Sequence, residues 1–176
     1  MIDANQAESS TAEIVDLERN AATGQIPLDC SGYRVRVNDS RFVVHKAVVD
    51  GREVLELAGL QPPEDYCLEL LVRGKKRRWI ALDAQVDLTL PGTERFIAEA
   101  SCDVEIKLNE NELIVAGPLT TGLAIKESAT KAGLIELDFV LSLELPEGKF
   151  RIVGDADKLR LSPGDCFSAV APDDNS

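Results

Sequence analysis

From Tyr33 the chain alternates. Tyr33, Val35 and Val37 are separated by Arg34 and Arg36, the pattern of a strand with one buried face. Asn38-Asp39-Ser40 supplies turn residues, and Arg41–His45 reads as the returning strand of a hairpin. The alternation then breaks over Val48–Leu60. Asp50 is an N-cap, Glu53 stands three residues on where an acid reaches back to the cap, and Val54, Leu57 and Ala58 share one stripe. Gly59 stops this helix of about ten residues and Pro62-Pro63 forbids its continuation. A second hairpin follows: Tyr66–Val72, a turn at Gly74-Lys75-Lys76, then Arg77–Leu82. A short piece at Val86-Asp87-Leu88 and a turn at Pro91-Gly92 lead to a last strand, Glu94–Ala98.

The same order returns in the second half. Val104–Asn109 repeats the alternation of Arg34–Asn38, including its terminal Asn. Leu113-Ile114-Val115 repeats Phe42-Val43-Val44 at an offset of 71, and Thr121-Gly122 stands 71 residues beyond Asp50-Gly51. Lys131–Leu134 echoes Leu57–Leu60 three residues further on, so the second helix is about one turn longer. Leu137, Phe139, Leu141 and Leu143 alternate as a strand, Phe150–Val153 returns, and Pro163-Gly164 precedes a last strand at Cys166–Val170. Internal self-similarity at a fixed period marks a duplicated structural unit. Two hairpins around one helix, with the first and last strands central and parallel, make an α+β fold of β-grasp type. The expected layout is a start and short helix over 1–30, a first β-grasp unit over 31–100, a second over 101–171 and a tail over 172–176. Residues 1–11 read as disordered. Thr11–Ala22 reads as an amphipathic helix with Ile14, Leu17 and Ala21 on one face, and Gly24 and Pro27 end it. This helix either packs on the first unit or docks a partner through the same anchors.

Charge changes the picture. Residues 1–30 carry one base and six acids, 31–100 eleven of each, and 101–176 seven bases and fourteen acids, giving the net −12 of the 176-residue chain. Such a surface repels nucleic acid and anionic membrane. No apolar run approaches the roughly 20 residues of a membrane span, and the polar, acidic start does not read as a secretory signal. Cys30, Cys67, Cys102 and Cys166 are widely spaced and His45 is the single histidine, so no zinc signature exists and free thiols in a reducing cytoplasm are expected.

Chemistry-bearing motifs are few. His45 beside Val44 reads as a strand side chain and not a base. No Ser-His-Asp set or P-loop appears, so no enzyme, cofactor or metal is expected. Asp155-Ala156-Asp157 lacks the other ligands of a calcium loop. Arg73, Lys75, Lys76, Arg77 and Arg78 with Trp79 form the one basic cluster. It reads as a soluble hairpin tip, a dock for an acidic partner, or, against the acidic background, a single-stranded nucleic-acid platform.

Taken together, Glu13–Glu18, Tyr33–Asn38, Asp50-Gly51-Arg52-Glu53, Leu57–Leu60 with Pro62, and Val86-Asp87-Leu88…Pro91-Gly92…Arg95-Phe96 resemble the bacterial multiubiquitin family. The first unit resembles it closely, the second more loosely. The resemblance implies two tandem ubiquitin-like β-grasp domains. It further implies a protein modifier of a bacterial ubiquitination-like pathway acting in defence against phage. The partners it implies are an E1-like activating enzyme, an E2-like conjugating enzyme, a peptidase-like deconjugating enzyme and a target protein. Conjugation would run through the C-terminal carboxylate, here that of Ser176. The tail Ala171–Ser176 departs from a terminal Gly-Gly, so the partner enzyme accepts Ser176, a protease trims the tail first, or the member is not conjugated. The alternative is a non-covalent adaptor of the same pathway, with Ile14, Leu17 and the Arg73–Trp79 turn as candidate contacts.

Overall fold

The computed structural model describes residues 14–25, 30–75 and 77–172. Among these residues the architecture is α+β, with three α-helices against mixed sheets. A first set of elements comprises β1 (Ile14–Asp16), α1 (Leu17–Thr23), β2 (Gly32–Val37), β3 (Ser40–Val44), β4 (Val48–Asp50), α2 (Gly51–Leu57), β5 (Cys67–Val72), β6 (Arg78–Trp79), β7 (Gln85–Asp87) and β8 (Thr93–Glu99). A second comprises β9 (Cys102–Leu108), β10 (Asn111–Gly117), β11 (Leu119–Thr121), α3 (Gly122–Lys131), β12 (Val140–Leu145), β13 (Lys149–Val153), β14 (Lys158–Arg160) and β15 (Cys166–Val170). Each set surrounds its own buried cluster, one around Val35, Leu55, Leu68 and Phe96, the other around Val104, Ile125, Leu141 and Phe167. They are the first and second units below.

Both units share one topology. In the second, the strand order is β10-β9-β15-β12-β13, with β9 and β15 parallel neighbours at the centre. In the first, β2 pairs β3 on one edge and lies parallel to β8 on the other, and β5 and β6 continue the sheet. Two short antiparallel pairs, β4 with β7 and β11 with β14, sit at corresponding places.

The recurring residues explain themselves at atomic scale. Asn38 (φ 51°) donates from Nδ2 to the Ala98 carbonyl at 2.9 Å and accepts from Ala98 N at 2.8 Å. Asn109 (φ 48°) makes the same pair of bonds with Ala169, both at 2.9 Å. Asn tolerates the left-handed conformation and carries both a donor and an acceptor, so it closes the hairpin and ties the central strands at once. Gly51 and Gly122 begin their helices against backbone. A Cβ would lie 2.4 Å from the Ala81 oxygen in one case and 2.3 Å from the Gly154 oxygen in the other. α2 carries the predicted capping box, with Glu53 N donating to Asp50 Oδ1 at 2.9 Å and Asp50 N to Glu53 Oε2 at 3.0 Å. α3 is capped only by Thr121 Oγ1, which accepts from Ala124 N at 3.2 Å, and it is three residues longer.

Three expectations are corrected. The stretch read as a helix over 11–22 begins as a strand: Ile14-Val15-Asp16 pairs parallel with Gly32-Tyr33-Arg34, and only Leu17–Thr23 is helical. The β-branched pair Ile14-Val15 favours a strand, and Asp16, accepting from Arg19 N at 3.2 Å, is the true cap. Residues 1–13 of the predicted start, including Thr11, lie outside the described residues. Leu137 and Phe139 form a turn before β12 and not strand, with Phe139 N bonded to Glu136 O at 3.3 Å. Finally, the cysteines are not all free. Cys67 and Cys102 form a disulfide with Cα atoms 6.4 Å apart, while Cys30 and Cys166 are free thiols. No helix among the described residues is long and apolar enough to cross a membrane.

Candidate functional site

The disulfide joins β5 of the first unit to the first residue of β9, so it staples the two units. Arg160 on β14 adds a second tie. It donates from Nη2 to the Tyr66 carbonyl at 2.8 Å and from Nη1 to that of Glu64. Burial pushes the Arg160 guanidinium below its usual pKa, with Glu64 acting to restore it. Trp79 supplies a third contact, since its half-buried ring packs on the second cluster. Its indole N–H has no partner among the described residues. The tryptophan read as a stacking platform is therefore part of the junction.

The rest of the basic turn is divided among separate tasks. Arg73 donates from Nη1 to the Ala21 carbonyl at 3.0 Å, holding the end of α1, and Arg77 pairs with Glu69 at 3.4 Å. Lys75 and Arg78 are exposed. Lys76 lies outside the described residues. Arg73 and Trp79 thus face different neighbours and do not form one patch with the exposed pair.

The N-terminal segment is seated on the first unit. A strand has two edges. β3 takes one edge of β2 over Tyr33–Val37, so β1 and β8 share the other, β1 at Gly32–Arg34 and β8 at Val37. The segment is a strap wedged beside β2. Leu17 is 2% exposed and joins the first cluster, so it cannot reach a partner, whereas Ile14 is 37% exposed. Glu18 holds Arg36 at 2.6 Å and Arg41 at 3.1 Å, and Asp16 holds Arg34 at 3.5 Å. Burial raises the Glu18 pKa, but the hydrogen bonds from Arg41 and Arg36 outweigh it and leave the carboxyl below its usual range.

Between β3 and α2 lies an apolar groove of about 330 Å³, lined by Val43, Val49, Val54 and Leu57 with the Lys46–Glu53 ion pair at its side. β3 is an edge strand. His45 does not face chemistry here: its Nδ1 donates to the Ser31 carbonyl at 2.8 Å. Asp155 and Asp157 are likewise occupied, the first by Lys126 at 2.8 Å and the second by Gly154 N at 2.9 Å.

At the other end, β15 leaves the centre of its sheet at Val170 and is followed by exposed Ala171 and Pro172. Ser176, the candidate conjugation residue, lies outside the described residues. Sequence reasoning singled out neither the Cys67–Cys102 pair nor Arg160. The two cysteines stand 35 residues apart in no recognisable motif; the repeat places Cys102 at the start of the second unit but Cys67 inside the first, so no signal in the sequence joins them.

Residues 33–101 match the family model described as multiubiquitin. The match covers the first unit from Tyr33 to its end. No curated protein matches the chain.

Proposed function

From residues 33–101 being a domain of the multiubiquitin family, we propose that this ubiquitin-like chain is a protein modifier built of two tandem β-grasp units. Its β-grasp units span about residues 31–100 and 101–171. The segment after β15 is the part that enzymes handle. An E1-like enzyme adenylates the C-terminal carboxylate with ATP, releasing pyrophosphate, and its thiol then displaces AMP to form a thioester. An E2-like enzyme receives it as a thioester, and an acceptor nucleophile of a target takes it with release of the thiol. A peptidase-like partner reverses the bond. The observation that carries the reading is the multiubiquitin match itself. A parallel central strand that delivers the chain outward at Ala171-Pro172 supports it, since an enzyme channel admits only a thin, extended tail. The setting is a bacterial cytoplasm, in a pathway of defence against phage. There the disulfide is open to reduction.

The test is expression of the chain with its neighbouring genes and mass spectrometry of its adducts. The reading expects a target peptide bearing a C-terminal remnant of this chain, and loss of all adducts when residues 171–176 are deleted. Adduct formation indifferent to that deletion, or no adduct with any activating enzyme, overturns it. A second reading, a non-covalent adaptor, is supported by the groove beside the edge strand β3, where an extended apolar peptide adds a strand. An adaptor would bind such partners whether or not the terminus is blocked.

A further inference from the structure

The second unit is carried by a defined face of the first. Its footprint there is the Glu64 and Tyr66 carbonyls held by Arg160, Cys67 bonded to Cys102, and Trp79 lying on the second cluster. Strand register fixes where these positions recur. Leu68 pairs with the Asn-clamped Ala98, and Leu141 with the Asn-clamped Ala169, so Cys67 corresponds to Val140. Glu69 pairs with Trp79 and Ser142 with Ile152, so Trp79 corresponds to Ile152. The turn closed by Tyr66 N on Pro63 O at 3.2 Å recurs as Phe139 N on Glu136 O at 3.3 Å, so Glu64 corresponds to Leu137. Leu137, Val140 and Ile152 are 46%, 38% and 71% exposed. Val170, opposite Val140 across β12 and β15, extends the patch. Three of the four positions that seat one unit on another are, on the second unit, open apolar side chains, while the fourth, Phe139 in place of Tyr66, is half-buried on its own cluster; an exposed apolar patch marks an interaction site.

We propose that this face of the second unit docks a second copy of the chain, whose first unit sits on it as the second unit sits on the first. The argument is continuity: the contact is already made once within the chain. The second unit brings Pro118 and Leu119 to the junction, where they line a groove with Tyr66. Leu119 pairs with Arg160 as Val48 pairs with Asp87, so the first unit offers the exposed Val48 at the corresponding point. Ser31 stands where Cys102 stands, 71 residues on, and Asp87 where Arg160 stands. The contact between copies therefore has neither the covalent tie nor the guanidinium anchor. It is reversible and driven by apolar burial. It is also head-to-tail, joining unlike faces, so it does not close at two chains.

Sedimentation of the full chain from micromolar to millimolar concentration should show a weight-average mass that climbs past the dimer. Ile152→Asp and Val140→Asp change exposed side chains; each should hold the mass at the monomer with unchanged thermal unfolding. A chain that stays monomeric throughout overturns the proposal and leaves the face to another occupant. Association that ignores both substitutions overturns it too. The orientation has its own test. In a Cys30→Ser, Cys166→Ser background, one chain carrying Ser31→Cys is mixed under mild oxidation with another carrying Val140→Cys. The expected product is the mixed disulfide dimer in clear excess over either self-pair, and equal amounts of all three would contradict the head-to-tail geometry.

Discussion

Position 55 on α2 is a leucine with no exposed surface; its counterpart on α3, 71 residues later, is Lys126, 7% exposed. The first unit buries a hydrocarbon there. The second buries an ammonium, neutralised by Asp155 at 2.8 Å and donating to the Phe139 carbonyl at 3.3 Å. The caps differ in the same way, with a reciprocal box at Asp50 and Glu53 against a single hydroxyl at Thr121. The outer finish differs most. The first unit is strapped by β1 and α1 and carries the second unit on its flank. Among the described residues the second has no strap: the Glu105 carbonyl accepts from Gly164 N at 2.9 Å, whereas its counterpart Arg34 pairs with Asp16 of the strap. The lesson is that the frame rests on a few backbone-directed residues, Asn38 and Asn109, Gly51 and Gly122, while helix interiors and outer faces are free to diverge. Divergence there is what gives two like units unlike neighbours.

The sharpest way to break the symmetry is the helix interior. Leu55→Ala should cost about 2–5 kcal/mol, as a cavity at the centre of a packed cluster does. Lys126→Met should change stability by no more than about 1 kcal/mol in either direction, because Asp155, the partner left behind, is 59% exposed and stays solvated. Urea unfolding of both variants reads the contrast; equal large losses would show that Lys126 is as integral as Leu55. Next is the staple. Cys67→Ser with Cys102→Ser, or reduction, should remove about 2–4 kcal/mol, read as a lower unfolding midpoint than that of the oxidised chain. The frame residues should respond alike: Asn38→Ala and Asn109→Ala should each lose about 2 kcal/mol, two hydrogen bonds and a tolerated left-handed conformation being lost together.

The repeat itself was readable, because its anchors are sequence-visible: an Asn ending the first strand, a cap followed by Gly, a Gly after the helix. The α+β layout, the parallel central strands and the longer second helix all followed from those marks. What escaped depended on contacts between distant residues. Cys67 and Cys102 meet only because the second unit starts beside β5. Trp79 looked like a free ring on a basic turn because its cover comes from the second unit, far along the chain. Ile14-Val15 was absorbed into a helical stripe, since i, i+3, i+7 spacing cannot reveal an open edge of β2 waiting to pair. Of the candidate contacts, Leu17 is committed within the first unit, one of the two outcomes its apolar stripe offered, and so is Arg73, whose bond to the Ala21 carbonyl nothing local in the sequence marks.

The smallest expected effect concerns the strap. Glu18 has a folded pKa below its unfolded value of about 4.3. A lowered pKa means the stabilisation is complete above the unfolded value and is lost as pH falls through the folded one. The groups around it are Arg36 and Arg41, with Asp39 and the Asp16–Arg34 pair alongside. Acid should therefore loosen residues 14–23 first, by no more than about 1 kcal/mol given the partial exposure. The protection of those amides, relative to their intrinsic exchange rate, should fall as pH drops below about 4.3, and Glu18→Gln should erase that pH dependence.

The most direct test uses the single tryptophan. Because Trp79 lies between the units, its emission reports the junction alone. The native, oxidised chain should emit at short wavelength and resist acrylamide quenching. The Cys67→Ser, Cys102→Ser chain should shift to the red and quench readily while its circular dichroism stays native. Emission at the wavelength of free indole in the native protein, with ready quenching, would mean that the second unit does not sit on the first.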